Sequence, residues 1–144
     1  NGGNSGENTS PNNNFKLQDS NLICEPATTV ESIKEKYSDT QIIVKNAEGK
    51  EIATGNVGTG YTITIAEKTY TIIKLGDVNG DGKVTPADST VILRTYVGLN
   101  TLNDKAILAA NVNTDDKITP ADSTVILRAY VKLENIKLKS NEEN

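Results

Sequence analysis

The sequence predicts an α+β chain in two parts: a small β-rich module with one helix, followed by an all-α module built of two loop-helix repeats plus a linking helix. Three observations carry this prediction. Short β-branched runs separated by turn residues fill residues 15–75. Residues 83–99 (KVTPADSTVILRTYVGL) return 34 positions later as residues 117–133 (KITPADSTVILRAYVKL), with 14 of the 17 paired positions identical. Each copy also follows a short acidic stretch in which oxygen-bearing side chains recur at every second position.

Residues 1–14 (NGGNSGENTSPNNN) contain no hydrophobic residue, and a segment with nothing to bury does not offset its ordering entropy. They read as a disordered linker, and Asn1 is not an initiator residue, which points to a piece of a longer protein. Residues 15–75 form the first module. Phe15, Leu17 and then Leu22, Ile23 and Cys24 predict extended chain. Residues 28–37 carry a capping threonine and place Val30, Ile33 and Tyr37 on one helix face. Residues 41–45 (QIIVK), 61–65 (YTITI) and 69–75 (TYTIIKL) are β-branched or alternate with period two, and Glu48-Gly49-Lys50 reads as a turn. The last strand runs into Gly76-Asp77 without a spacer, so the second module, residues 76–138, is expected to be held in a fixed relation to the first. Residues 139–144 read as a solvated tail, with Ile136 and Leu138 before them available to contact the module.

The acidic stretches have the spacing of a 12-residue calcium loop, which supplies hard oxygen ligands from positions 1, 3, 5, 7 through a backbone carbonyl, 9, and a carboxylate at 12. In the first copy these are Asp77, Asn79, Asp81, Lys83, Thr85 and Asp88, with Gly82 at the sharp turn in position six. In the second they are Asn111, Asn113, Asp115, Lys117, Thr119 and Asp122. Asn111 there replaces a charged ligand, and Asp116 stands where glycine is expected, so the second loop should bind more weakly. Two calcium ions are expected. With one cysteine and hence no disulfide, bound metal is the natural staple for modules this small.

Thr85-Pro86-Ala87-Asp88 and Thr119-Pro120-Ala121-Asp122 each place a capping threonine, a proline at the first helical position and an acidic residue three past the cap. A helix should start at each loop, and residues 101–110 read as the linking helix. Within the repeat, Val91, Ile92 and Leu93 spread over about 200° of helix circumference and cannot share one small core. Ile92 and Tyr96, with Leu99 near, are expected to close the module. Ser89, Leu93 and Val97, beside Thr90 and Arg94, are expected to meet a partner. In the second copy the partner stripe is Ser123, Thr124, Leu127, Arg128 and Val131.

The segments GDVNGDGKVTPADSTVILRTYVGL and ANVNTDDKITPADSTVILRAYVKL resemble dockerins, the duplicated calcium-binding modules of extracellular proteins of anaerobic bacteria that bind cohesin modules and assemble cellulosome-type complexes for polysaccharide degradation. The resemblance carries Asp77, Asn79, Asp81, Lys83, Asp88, Asn111, Asn113, Asp115, Lys117 and Asp122 over as calcium ligands. It also implies that loop positions ten and eleven, here Pro86-Ala87 and Pro120-Ala121, contribute to cohesin choice, where several dockerins have a hydroxyl pair. By position and size, residues 15–75 resemble the X-module that often precedes a dockerin in scaffoldins. The implied location is extracellular, secreted or attached to the cell surface.

Composition narrows the alternatives. No histidine and one cysteine leave no parts for a zinc site or a Ser/His or Cys/His nucleophile. A net charge of −4 disfavours nucleic acid. No tryptophan and six aromatics disfavour a carbohydrate-binding platform, and the absence of methionine disfavours a calcium-opened methionine groove. No apolar run approaches a membrane span. The expected function is therefore non-enzymatic: calcium-dependent anchoring to a cohesin, in two orientations because the repeat is duplicated. The alternative is a structural calcium module packed on its neighbour, with no partner in trans.

Overall fold

The computed structural model describes residues 15–112, 117–133 and 136. Six strands and one helix occupy the first half of the described chain. They are β1 (Phe15–Gln18), β2 (Asn21–Cys24), α1 (Val30–Lys36), β3 (Ile42–Lys45), β4 (Glu51–Ile52), β5 (Thr62–Ile65) and β6 (Lys68–Lys74). Three helices follow: α2 (Pro86–Tyr96), α3 (Asp104–Ala110) and α4 (Pro120–Tyr130). The strands form one sheet in the order β1-β2-β6-β5-β3-β4, in which β2 and β6 run parallel and every other pair is antiparallel. The parallel pair brings the N-terminal hairpin beside the last strand, with Leu22 opposite Ile72 and Ile23 opposite Ile73.

Side chains on a strand alternate between faces, so adjacent apolar residues must bury on opposite sides of the sheet. On β2 and β6 they do. Leu22, Cys24 and Ile72 point to a core closed by Val30 and Ile33 of α1, together with Phe15, Val44 and Ile63. Ile23 and Ile73 point the other way, into a second core with Leu75, Val78, Ile92 of α2, Ala106, Ala109 and Ala110 of α3, and Ile126 of α4. The sheet is thus covered by α1 on one face and by the three-helix half on the other. The fixed relation expected from the missing spacer takes this form. Gly76 N–H donates to Ala109 O at 2.8 Å, and Leu75 N–H donates to Cys24 O at 2.9 Å, which tie the junction to both halves.

The helices begin where their sequences direct. Thr29, Thr85 and Thr119 are N-caps with capping boxes, closed by Ser32, Asp88 and Asp122 at the third helical position, and prolines open α2 and α4. The linking helix α3 is shorter than residues 101–110, because Asn103 caps it and accepts from Ala106 N–H at 2.8 Å. Helices α2 and α4 pack against each other, with Ile92 and Ile126 buried and the hydroxyls of Ser89 and Ser123 hydrogen-bonded to each other between them. A contact between equivalent residues is what a near-twofold relation of the two helices would give. Ile136 packs at this core beside Gly76, whereas the segments read as linker (1–14) and tail (139–144), together with Leu138, lie outside the described residues.

One expectation is corrected here. Tyr96 and Leu99 do not join Ile92 in closing the module; they are 57 % and 67 % exposed. Ile92 is enclosed in the core with Ile73, Ala109 and Ile126, and packing against α4 uses that one stripe of α2, leaving Tyr96 one turn on in solvent.

Because Ile73 joins the sheet to three helices, Ile73→Ala should remove roughly 3 kcal/mol of stability. Chemical denaturation should still show one transition by circular dichroism and tyrosine fluorescence. Two separate transitions would mean that the halves hold independent cores.

Candidate metal centre

The first loop starts as soon as β6 ends. Asp77 is buried, and its carboxylate is ringed by main-chain donors: Oδ1 accepts from Asp81 N–H at 3.1 Å, and Oδ2 accepts from Gly82 N–H and Thr59 N–H, each at 2.9 Å. Asn79 Oδ1 accepts from Asp81 N–H at 3.2 Å, and Asp81 Oδ1 accepts from Lys83 N–H at 2.9 Å. These short-range bonds wind the loop, and Gly82 takes the positive φ of 86° expected at position six. Asp88, in the first turn of α2, is also buried. Its Oδ2 caps the helix by accepting from Thr85 N–H at 2.9 Å, and its Oδ1 accepts from Asn79 N–H at 3.0 Å.

The result is a cluster in which Asp77, Asp81 and Asp88 each present a carboxylate oxygen within 4.8 Å of the other two. Burial pushes the Asp77 carboxyl up to about 6, against the lowering effect of the Thr59 and Gly82 N–H groups, and burial also raises that of Asp88. Three carboxylates with two of them desolvated form an all-oxygen set suited to a hard cation, which would offset the burial of charge. These residues fit calcium.

The second loop is described only in part. Asn113 and Asp115 lie outside the described residues. Asn111 ends α3, and its Oδ1 is buried without a hydrogen-bond partner, as an acceptor aimed at a cation would be. Asp122 is buried at the start of α4 and repeats the Asp88 cap, accepting from Thr119 N–H at 3.0 Å. Lys117 is exposed between them.

The residues expected to meet a partner separate into two groups. Pro86, Ala87, Thr90, Leu93, Arg94 and Val97 are exposed on α2 and its C-cap, and Pro120, Ala121, Thr124, Leu127, Arg128 and Val131 repeat that surface on α4. Ser89 and Ser123 are not on it. Each is 3 % exposed, because the helix crossing draws both hydroxyls inward to bond to each other.

Sequence reasoning missed Thr59 and Lys74. Lys74 is 1 % exposed, and its Nζ donates to Gly82 O at 2.9 Å, while burial lowers its pKa. A lone lysine at the end of the apolar run TYTIIKL was the available signal. Thr59 offered none, since its contribution to the site is a backbone N–H. Cys24, buried on β2 with its thiol pushed up to about 12 by burial, is an inert packing residue.

Residues 75–131 match the dockerin type I domain family. No curated protein and no solved structure matches the chain. Dockerin modules are non-catalytic, bind calcium and anchor to cohesins, and the sheet half before this one is consistent with an X-module-like domain. No helix among the described residues is long and apolar enough to cross a membrane.

The Asp77 shift sets a pH dependence. Its folded value, about 6, lies above the 3.8 of an ordinary aspartate, so between these values the folded metal-free chain holds more protons than the unfolded one. In chelator, stability should therefore fall as pH rises from about 4 to about 6 and then level off. Calcium must displace that proton, so affinity at the first loop should drop by roughly tenfold per pH unit below 6. Calcium titration calorimetry at pH 7.5, 6 and 5, with thermal melts in chelator, checks both signs.

Proposed function

We propose that the dockerin module at residues 75–131 anchors this chain to a cohesin in an extracellular, cellulosome-type complex, and that it does so in two alternative orientations. The match to the family supports cohesin anchoring in general. The observation that carries the two-orientation reading is the equality of the two helix faces. Leu93 and Leu127 are both 41 % exposed, Val97 and Val131 are 65 % and 57 %, and Ser89 and Ser123 meet between the helices. A receptor that fits the α2 face therefore meets nearly the same relief of side chains on α4 after a rotation of about 180°.

Two calcium ions complete this reading. The first is held by Asp77, Asn79, Asp81, the Lys83 carbonyl and Asp88, the second by Asn111, Asn113, Asp115, the Lys117 carbonyl and Asp122. Each ion would draw the start of its helix onto the loop, because Asp88 and Asp122 are both loop ligand and helix cap. The exposed arginines are the natural anchors, since arginine is enriched in binding hot spots, and the exposed leucines beside them add apolar contact.

The competing reading is a structural calcium module with no partner in trans. The sheet half covers Ile92 and Ile126 but leaves Leu93, Val97, Leu127 and Val131 exposed, which favours a further partner.

With two equivalent modes, Leu93→Ala with Arg94→Ala should weaken cohesin binding only about twofold, and so should Leu127→Ala with Arg128→Ala, because one mode survives. All four substitutions together should weaken it by 100-fold or more. Calorimetry against a cohesin panel, with and without chelator, measures this. Loss of binding from either pair alone would refute dual orientation, and no binding to any cohesin in calcium would favour the structural reading.

A further inference from the structure

The first loop is walled by a segment far from it in sequence. Residues 57–61 run beside β6, with Gly60 N–H donating to Ile72 O at 2.9 Å and Ile72 N–H to Tyr61 O at 2.8 Å. This places Thr59 over the loop, where its N–H donates to Asp77 Oδ2 at 2.9 Å. Thr59 is itself fixed, because its Oγ1 accepts from Lys74 N–H at 3.0 Å and donates to Lys74 O at 3.2 Å. The contact is backbone against backbone. A Cβ on Gly58 would lie 3.0 Å from both N and Cα of Gly82, and a Cβ on Gly80 would lie 3.0 Å from Thr59 O. From beneath, the buried Lys74 ammonium holds Gly82 O at 2.9 Å. The second loop differs at the corresponding point: Asn111 Oδ1, the counterpart of the Asp77 carboxylate, has no hydrogen-bond donor.

We infer that the first calcium site is shared between the two halves of the chain: Gly58, Thr59 and Lys74 are positioning residues for its ligands, and occupancy of this loop is linked to the order of residues 57–61. The inference rests on reading the loop as a calcium site. A loop held in shape beforehand loses less conformational entropy when the ion binds, which raises affinity. Linkage is reciprocal, so the ion must in turn stabilise the segment that holds the loop. Among the described residues no N–H of the sheet half reaches Asn111 Oδ1, so the second site is expected to respond little to a change at Gly58.

The test uses the full chain. Amide hydrogen exchange is followed while calcium is titrated, and site affinities are measured by calorimetry on the native chain and on Gly58→Ala. Filling the first site should slow exchange at Thr59 and Gly60 by at least tenfold. Gly58→Ala, whose new Cβ must push Gly82 aside, should weaken the first site fivefold or more and leave the second unchanged. If calcium binds both loops of the native chain but exchange at Thr59 and Gly60 does not change, the inference fails while the calcium reading stands. It fails equally if folded Gly58→Ala binds the first ion as tightly as the native chain. If no calcium binds at either loop, the calcium reading itself fails. Should Gly58→Ala not fold, as judged by unprotected sheet amides, the exchange measurement on the native chain decides alone.

Discussion

Strand β6 is buried on both of its faces, and the rest of the molecule is arranged around that constraint. Ile72 and Ile73 are adjacent and both fully buried, so each face of the sheet must carry a core. Helix α1 is the cover for one face, and its Val30 and Ile33 fill that side. The other face has no helix within the first half of the chain to cover it. Ile23 and Ile73 find their partners instead in α2, α3 and α4, which makes the helical half part of the sheet's own hydrophobic closure. The direct step from Lys74 to Leu75 to Gly76 follows from the same constraint, since the chain must pass from strand to loop while staying on the sheet surface.

This arrangement also decides the electrostatics of the first loop. Asp77 begins the loop at the foot of β6, where the sheet half excludes water, so its carboxylate is desolvated and surrounded by N–H donors. Anionic oxygens from Asp81 and Asp88 converge on the same point. In a protein with a modest core, such a cluster is a standing cost that a divalent cation converts into a gain, and α2, whose first turn holds Asp88, shares in it. The buried Lys74 lies nearby, but its Nζ donates to the Gly82 carbonyl, and the described hydrogen bonds to the Asp77 and Asp88 carboxylates come from main-chain N–H groups.

The duplication has a consequence for the surface. Because α2 and α4 meet at Ser89 and Ser123, the pair is self-complementary on the inside and repeats itself on the outside. Packing consumes one stripe of each helix and leaves the others. Leu93, Val97, Leu127 and Val131 stay exposed, and so do Tyr96 and Tyr130. The two loops do not share this equivalence. Asp77 is embedded among donors from both halves of the chain, whereas Asn111 offers a neutral, unpartnered oxygen.

Much of the molecule was legible in the order of residues because the signals are local. Threonine caps, prolines at the first helical position, alternating β-branched residues and a glycine at the sixth loop position act over a few residues, and the helices, most strands and the winding of the first loop follow from them. The repeat identified the paired helices and gave the resemblance that the family match supports. What lay beyond reach depends on segments distant in the chain. Sequence could not show that Thr59 would donate to Asp77 eighteen positions away, that Ser89 and Ser123 would turn inward, or that Tyr96 would be left in solvent. Local propensity determined the elements and the candidate ligands; the crossing of α2 over α4 and the two-sided burial of β6 determined which side chains face water, since only the packed chain sets which surfaces exclude it.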